Sequence, residues 1–279
     1  MAELAPPKYR RVLLQIDAAT HCRETMGAAI EIAARLGGEL RGIFIEDSDL
    51  FTVGELDFIR EFRLSSPIAH HLDRLTLEAQ LRAMARSVQR QLEQAARHRK
   101  ITVGFRALRG EGWRGDIGEW GDADLVILEC TGRLHARNFR GRLSSREAIT
   151  ELLHPTLLLK GAKSLQADVT VICDSLTAAK QGILASVTLL GAPAGKITLL
   201  PVGLNDEDCA ELATIAQQYS GEKQGTPRVA PVMTGGPEVI EAISPVDCTV
   251  VMMVGGAFLE DPACQEALLI SRHPLLFVR

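Results

Sequence analysis

The sequence predicts an α/β protein of two tandem doubly wound parallel-sheet units, the second one shortened. Three observations carry this. Arg11-Val12-Leu13-Leu14-Gln15-Ile16-Asp17 is an apolar run ending in an acid, and Asp168-Val169-Thr170-Val171-Ile172-Cys173-Asp174 repeats it. The halves also close alike, His154-Pro155-Thr156-Leu157-Leu158-Leu159-Lys160 against His273-Pro274-Leu275-Leu276-Phe277-Val278-Arg279. Between these landmarks strand-like and helix-like runs alternate, which implies right-handed crossovers and a sheet covered on both faces. The copies stand 174 − 17 = 157 residues apart at the first landmark and 273 − 154 = 119 at the second, so the second copy is shorter by 157 − 119 = 38. The expected units are 1–163, with an apolar insert after its second strand, and 164–279, with the linker at Gly161–Gln166.

Each element has its own signal. Arg11–Ile16 is dense in Val, Leu and Ile without alternation, as a central strand buried on both faces should be. Ala28, Ala29, Ile32, Ala33 and Leu36 recur at helical spacing, and Gly37-Gly38 supplies the stop. Glu39–Ile45 is the second strand. A short helix and an apolar loop are expected next, then a long helix from about Leu75 to His98. Leu77, Leu81, Met84, Val88, Leu92 and Ala95 form the apolar stripe of that helix, and Arg and Glu fill its other faces. Ile101–Leu108, Leu125–Leu128 and Thr156–Leu159 complete five strands, with helical segments near Ile117 and over Arg146–Leu153. The second half reads as a strand at Asp168–Cys173, a helix at Ser175–Leu190, a strand at Lys196–Val202 and a helix at Asp206–Tyr219. Strands near Val229–Met233, Cys248–Val254 and Leu275–Val278 follow, separated by short helices around Pro237–Ile243 and Ala263–Leu269.

Composition narrows the function classes. Of 279 residues 46% are hydrophobic and 24% charged, which describes a globular protein with an aliphatic core. A net charge of −4 argues against a general nucleic-acid binder, which needs basic excess to neutralise phosphates. No apolar run approaches the ~20 residues of a bilayer span, and Met1–Lys8 has no apolar core of a signal peptide, so no membrane insertion is expected. The six cysteines are scattered singly, without C-x-x-C or zinc-like spacing, which points to a reducing, cytoplasmic setting and no metal. His70-His71 is not expected to bind metal, because neighbouring residues of a helix point apart. No G-x-S-x-G, G-x-x-x-x-G-K-[ST], H-E-x-x-H or strand-following G-x-G-x-x-G is present, so the expectation is a protein without turnover.

In such sheets ligands bind beyond the carboxyl ends of the strands. Asp17-Ala18-Ala19-Thr20 follows the first strand, and Glu129-Cys130-Thr131-Gly132-Arg133 follows the fourth. The two segments face each other if strands one and four are neighbours. Asp17 can accept from a ribose hydroxyl or a base amino group, or it can cap the following helix. Cys130 is the one thiol at this end among arginines, where a thiolate would be favoured.

The strand–Asp–helix opening, Gly42-Ile43-Phe44-Ile45-Glu46-Asp47, Ala123-Asp124-Leu125-Val126-Ile127-Leu128 and His154-Pro155-Thr156-Leu157-Leu158-Leu159 resemble the universal stress protein A family. The resemblance covers residues 9–160 and, more weakly, 168–279. It implies a flavodoxin-like, adenine-nucleotide α-hydrolase-like sheet and pairing of units through their last strands. Here that means a pseudo-dimer within one chain, and a homodimer of chains is a further expectation. It also implies ATP or AMP binding through an acid after strand one and a G-x-x-G-x9-G-[S/T] loop after strand four. Asp17 matches the acid and Gly132 the second glycine, whereas Glu129 stands at the first glycine, Arg142 at the third and Leu143 at the hydroxyl. A slip of one or two residues brings Gly141 and Ser144-Ser145 into play. Glycines let backbone N–H groups approach phosphate, and a hydroxyl completes the anion site.

The loop carries Arg133, His135, Arg137, Arg140, Arg142 and Arg146, whose guanidinium groups bind phosphate well. The second copy keeps Asp174 but follows its fourth strand with Val254-Gly255-Gly256-Ala257-Phe258, without basic residues or serine, so no nucleotide is expected there. The insert, with Leu50, Phe51, Leu56, Phe58 and Phe62, reads as core packed over the sheet edge rather than as an exposed contact surface. Two functions follow as expectations. One is a non-enzymatic stress-response regulator whose first unit holds an adenine nucleotide. The other is an interaction scaffold, empty in both units, that acts on a regulatory protein partner.

Overall fold

The computed structural model describes residues 9–17, 23–47, 60–62, 69–71, 74–110, 123–129, 154–160, 165, 168–190, 196–218, 227–254 and 256–278. Five strands of the first half are β1 (Arg11–Asp17), β2 (Glu39–Asp47), β5 (Val103–Gly110), β6 (Leu125–Glu129) and β7 (Thr156–Leu159). Those of the second are β8 (Val169–Cys173), β9 (Ile197–Pro201), β10 (Arg228–Val229), β11 (Thr249–Met253) and β12 (Leu275–Val278). All ten join one sheet in the order β10-β9-β8-β11-β12-β7-β6-β1-β2-β5. Pairing is parallel within each half, and β12 and β7 meet antiparallel at the centre.

The central pairing has an internal symmetry. Leu276 lies opposite Leu157, Leu275 opposite Leu158 and Phe277 opposite Thr156. With the halves offset by 276 − 157 = 119, Leu157 faces its own counterpart, and its neighbours pair crosswise around that point. A pseudo-two-fold axis therefore passes through the Leu157–Leu276 pair, as in an isologous dimer interface. Leu157, Leu275, Leu276 and Phe277 are fully buried, so the seam between the halves is part of the core.

Strand registers locate the residues by which the copies differ. Val12 pairs with Leu40 and Val169 with Ile197, so the offset is 169 − 12 = 157 through the first two strands of each half. Arg41 pairs with Gly104 and Thr198 with Arg228, which lowers it to 228 − 104 = 124 at the third strand. Leu125 and Thr249 hold the same place beside β1 and β8, and 249 − 125 = 124 again. Val126 pairs with Thr156 and Val250 with Leu275, giving 275 − 156 = 119. The second half thus lacks 157 − 124 = 33 residues between its second and third strands and 124 − 119 = 5 between its fourth and fifth.

Helices cover both faces. α1 (Arg23–Leu36) buries Met26, Ala29, Ile30, Ile32 and Ala33 against the sheet. It ends at Gly37, whose φ of 63° is open to glycine at no steric cost. α2 (Arg74–Arg99) lays Leu77, Leu81, Ala85, Val88, Leu92 and Ala96 on its inner face. In the second half α3 (Leu176–Leu190), α4 (Asp206–Gln218), α5 (Gly236–Ile243), α6 (Ala257–Glu260) and α7 (Pro262–Ile270) follow their strands. α1 also touches α3, and one apolar cluster runs from Val12 and Ala33 to Val171 and Ile183, so the halves share a core.

Two expectations are corrected. Between Asp47 and Arg74 the structure describes an antiparallel hairpin, β3 (Arg60–Phe62) with β4 (Ala69–His71), so His70-His71 belongs to a strand rather than to helical sequence. Residues 48–59 and 63–68, where the expected short helix and loop fall, lie outside the described residues. β10 is only two residues long, not Val229–Met233, because Pro231 lacks the N–H that would continue the ladder; the chain re-pairs once at Met233, opposite Val202. The rest of the apolar insert lies outside the described residues.

Candidate functional site

β1 pairs with β6, and β8 with β11, so in each half the first and fourth strands are neighbours. In each half the carboxyl ends of these two strands are therefore adjacent, at the switch point where such sheets bind ligands. In the first half Asp17 closes β1 opposite Ile45, and Glu129 closes β6 opposite Leu159. The Asp17 side chain lies outside the described residues, as do Cys130, Gly132, Arg133, Gly141, Ser144 and Ser145.

The second half shows the same junction atom by atom. The Asp174 carboxylate reaches across to the segment after β11, where its Oδ2 accepts the N–H of Phe258 at 3.4 Å. Gly256 lies directly against this oxygen, and a Cβ at Gly256 would overlap it. Gly256 is also the N-cap of α6, so the carboxylate sits where the open N–H groups begin. Asp174 does not cap the helix that follows it. Ser175 does, its Oγ accepting the N–H of Ala178 at 3.2 Å. The sequence expectation is that nothing opposite Asp174 is suited to phosphate; what faces it is Gly256 and the Phe258 amide.

Opposite this end, aspartates serve the fold. Asp124 accepts the N–H groups of Arg10 and Arg11 at 2.8 Å each, with the Arg11 guanidinium 3.4 Å from its other oxygen. Burial works against ionisation here, but the Arg11 and Arg10 amides and the Arg11 charge outweigh it and hold Asp124 below its ordinary range. Asp168 similarly receives the N–H of Lys196 at 2.9 Å.

Two arrangements went unrecognised in the sequence. Glu46, buried at the end of β2, pairs with Arg109 Nε at 3.4 Å, and Arg109 Nη1 lies 3.3 Å from Glu78. Glu78 also holds Arg82 at 2.9 Å and Arg74 at 3.4 Å. The network ties the start of α2 to the carboxyl ends of β2 and β5. By the strand offsets its positions correspond to Gly203 and Met233, so the second half has no counterpart. The second arrangement joins the halves. Lys160, just past β7, donates to the carbonyls of Leu268, Leu269 and Ser271, each at 2.7 Å, and so caps the C-terminal turn of α7. The pairs that join separate elements, Glu46–Arg109, Arg109–Glu78 and Lys160 with α7, lie more than 30 residues apart, and no local spacing signals them.

Three of the described thiols are held in their neutral form by burial. Burial raises Cys173 to about 12 and Cys264 to about 11, and it raises Cys248 as well. Among the described residues no group of three or more His, Cys, Asp or Glu side chains could hold a metal ion, and no helix is long and apolar enough to cross a membrane.

No protein-family model and no curated protein matches this sequence. Solved structures do. A universal stress protein from Archaeoglobus fulgidus superposes with a TM-score of 0.69 over 96% of both chains at 12% identity. A functionally unknown protein from Pseudomonas aeruginosa superposes at 0.52, covering 97% of this chain and 92% of its own, at 12% identity. A second P. aeruginosa protein, described as a universal stress protein, reaches 0.51 over 97% and 93% at 11% identity. At such identities the likeness concerns architecture: along nearly its whole length, the chain has the fold of universal stress protein structures.

Proposed function

We propose that this chain is a non-enzymatic, cytoplasmic regulator of the universal stress type whose first half holds an adenine nucleotide and whose second half holds none. The two units are 1–163 and 164–279. The observation that carries the reading is the contact between Asp174 and Gly256. By the offsets of 157 and 124, these residues are the counterparts of Asp17 and Gly132. The repeat thus supports a site in which Asp17 and the Gly132 loop lie within reach of one ligand. In this reading Asp17 accepts from a ribose hydroxyl or base amino group. Gly132 and Gly141 let backbone N–H groups approach phosphate, and Ser144, Ser145 and the Arg133 guanidinium complete the anion site. In the second half the Asp174 carboxylate lies against Gly256, and Val254–Phe258 after β11 contains no basic residue, which disfavours phosphate there by charge and by space.

Calorimetric titration with ATP, ADP and AMP tests this. Binding is expected at micromolar to millimolar ligand, weakened at least tenfold by Asp17→Ala and unchanged by Asp174→Ala. Equal losses in both variants, or an absence of heat in a demonstrably folded sample, would overturn the proposal. The second outcome leaves the chain as an interaction scaffold.

A further inference from the structure

The two ends of the sheet are covered by counterpart helices of opposite charge. α2 leads into the edge strand β5 and α4 into the edge strand β10, so the internal pseudo-two-fold relates them. α2 carries Arg74, Arg82, Arg86, Arg90, Arg97 and Arg99 against only Glu78 and Glu93. α4 carries Asp206, Glu207, Asp208 and Glu211 and no basic residue. The asymmetry extends to the whole halves. Residues 1–163 have 25 − 22 = +3 net charges and residues 164–279 have 6 − 13 = −7, for the chain total of −4.

The charges lie on open faces. Arg82, Arg86, Arg90 and Arg97 are exposed at spacings of four, four and seven, which sets them on one stripe opposite the buried Leu81, Val88 and Leu92. The stripe runs about 22 Å from Arg82 to Arg97 at 1.5 Å per residue. Arg82 is paired with Glu78, but Arg86, Arg90 and Arg97 have no carboxylate partner among the described residues. On α4, Asp206, Glu207 and Glu211 are exposed, and among the described residues only Glu211 has a cation nearby, Lys180 at 4.0 Å. The helices cannot meet within one chain, because nine strand spacings, on the order of 40 Å, separate the sheet edges. A second copy can bring them together.

We propose that the α2 face is a docking surface for the α4 face of another copy, giving a head-to-tail, salt-sensitive self-association. Such a contact is heterologous: each copy keeps one basic and one acidic end free, so the contact propagates into a ring or an open row. Opposed charges across a solvated contact raise the encounter rate and fix the register, and screening by salt weakens both.

The test is sedimentation velocity and light scattering on the full chain, with three variants. Arg86→Glu/Arg90→Glu/Arg97→Glu makes both end helices acidic, and Asp206→Lys/Glu207→Lys/Glu211→Lys makes both basic. The third carries all six changes. At about 20 mM salt, where screening reaches roughly 20–30 Å, the wild type is expected to gain mass with concentration beyond about twice the 30.3 kDa monomer. At about 0.5 M salt it should return to the monomer. Each triple variant alone should stay monomeric, a mixture of the two should associate, and the six-fold variant should associate again. Circular dichroism confirms that each variant is folded. A wild type that stays monomeric in low salt overturns the proposal, as does association that survives in both triple variants. Co-sedimentation of that monomer with phosphatidylserine vesicles would assign the stripe to an anionic lipid surface instead.

Discussion

Replacing Lys160 by methionine keeps most of the apolar stem of the side chain, one atom shorter, and removes the ammonium with its charge and donors. Three carbonyls at the end of α7, each 2.7 Å from Nζ, lose their donor. A hydrogen bond to a charged group contributes about 1.5–3 kcal/mol, and a cation at a helix C-terminus up to about 2 kcal/mol in a partly buried setting. These terms share one ammonium, and the freed carbonyls regain some water, so they do not add. The expected loss is about 2–3 kcal/mol. For an m-value of about 2–3 kcal/mol per molar urea, that lowers the unfolding midpoint by about 1 M. Two probes read the transition. Circular dichroism follows all helices, whereas fluorescence follows Trp113 and Trp120, the chain's two tryptophans, both in the first half. Because Lys160 belongs to one half and its acceptors to the other, both probes should shift together. A shift below about 0.5 kcal/mol, or a circular dichroism transition that moves while fluorescence stays, would refute the clamp as a tie between the halves.

Gly256→Ala should displace the Asp174 carboxylate, cost about 1–2 kcal/mol and lose most of that cost in an Asp174→Ala background; additive effects in this cycle would deny the contact. His273 is buried with Nδ1 3.3 Å from the carbonyl of Cys248, and burial, helped by Arg272 and Lys160, lowers its pKa below the ordinary 6.5. The unfolded chain therefore binds the extra proton first, so this residue's contribution to stability is complete above 6.5 and fades as pH falls through its lowered value. Denaturation midpoints that rise between about pH 5 and 7 in the wild type should flatten in His273→Gln; an unchanged slope would contradict this. Cys173, Cys248 and Cys264 should resist iodoacetamide in the native protein at about pH 8, as mapped by peptide mass spectrometry, and rapid labelling of Cys173 would show that its burial is misassigned.

The fold was legible because its signals are local. Unbroken apolar runs such as Leu125–Leu128, the stripe through Leu77–Leu92 and the glycine after Leu36 each state an element within 16 residues or fewer. The likeness of His154–Lys160 to His273–Arg279 disclosed the repeat, and the antiparallel register at Leu157 and Leu276 gives it a geometric meaning. Tertiary pairings left weaker traces. β3 and β4 are three residues each, too short for alternation to register, and Pro231 cut a strand whose apolar pattern looked longer. Asp17 and Gly132 are named from their motif alone, and the Asp17 side chain and Gly132 lie outside the described residues. The contact of Asp174 was not legible, because its hydrogen bond depends on an amide 84 residues away that carries no side-chain signature. The Glu46–Arg109–Glu78 network escaped for the same reason.

The seam at Leu157 and Leu276 carries a consequence for how such a protein changes over generations. In a dimer of identical subunits every substitution arrives twice, once on each side of the axis, so neither side can be altered alone. Joining the subunits into one polypeptide retains the symmetric pairing that holds them while giving each side its own codons. Thirty-three residues can then separate one pair of strands and not the other, and one edge helix can turn basic while its twin turns acidic. The seam is the part least free to drift, since a change at either leucine still meets its counterpart directly across the sheet.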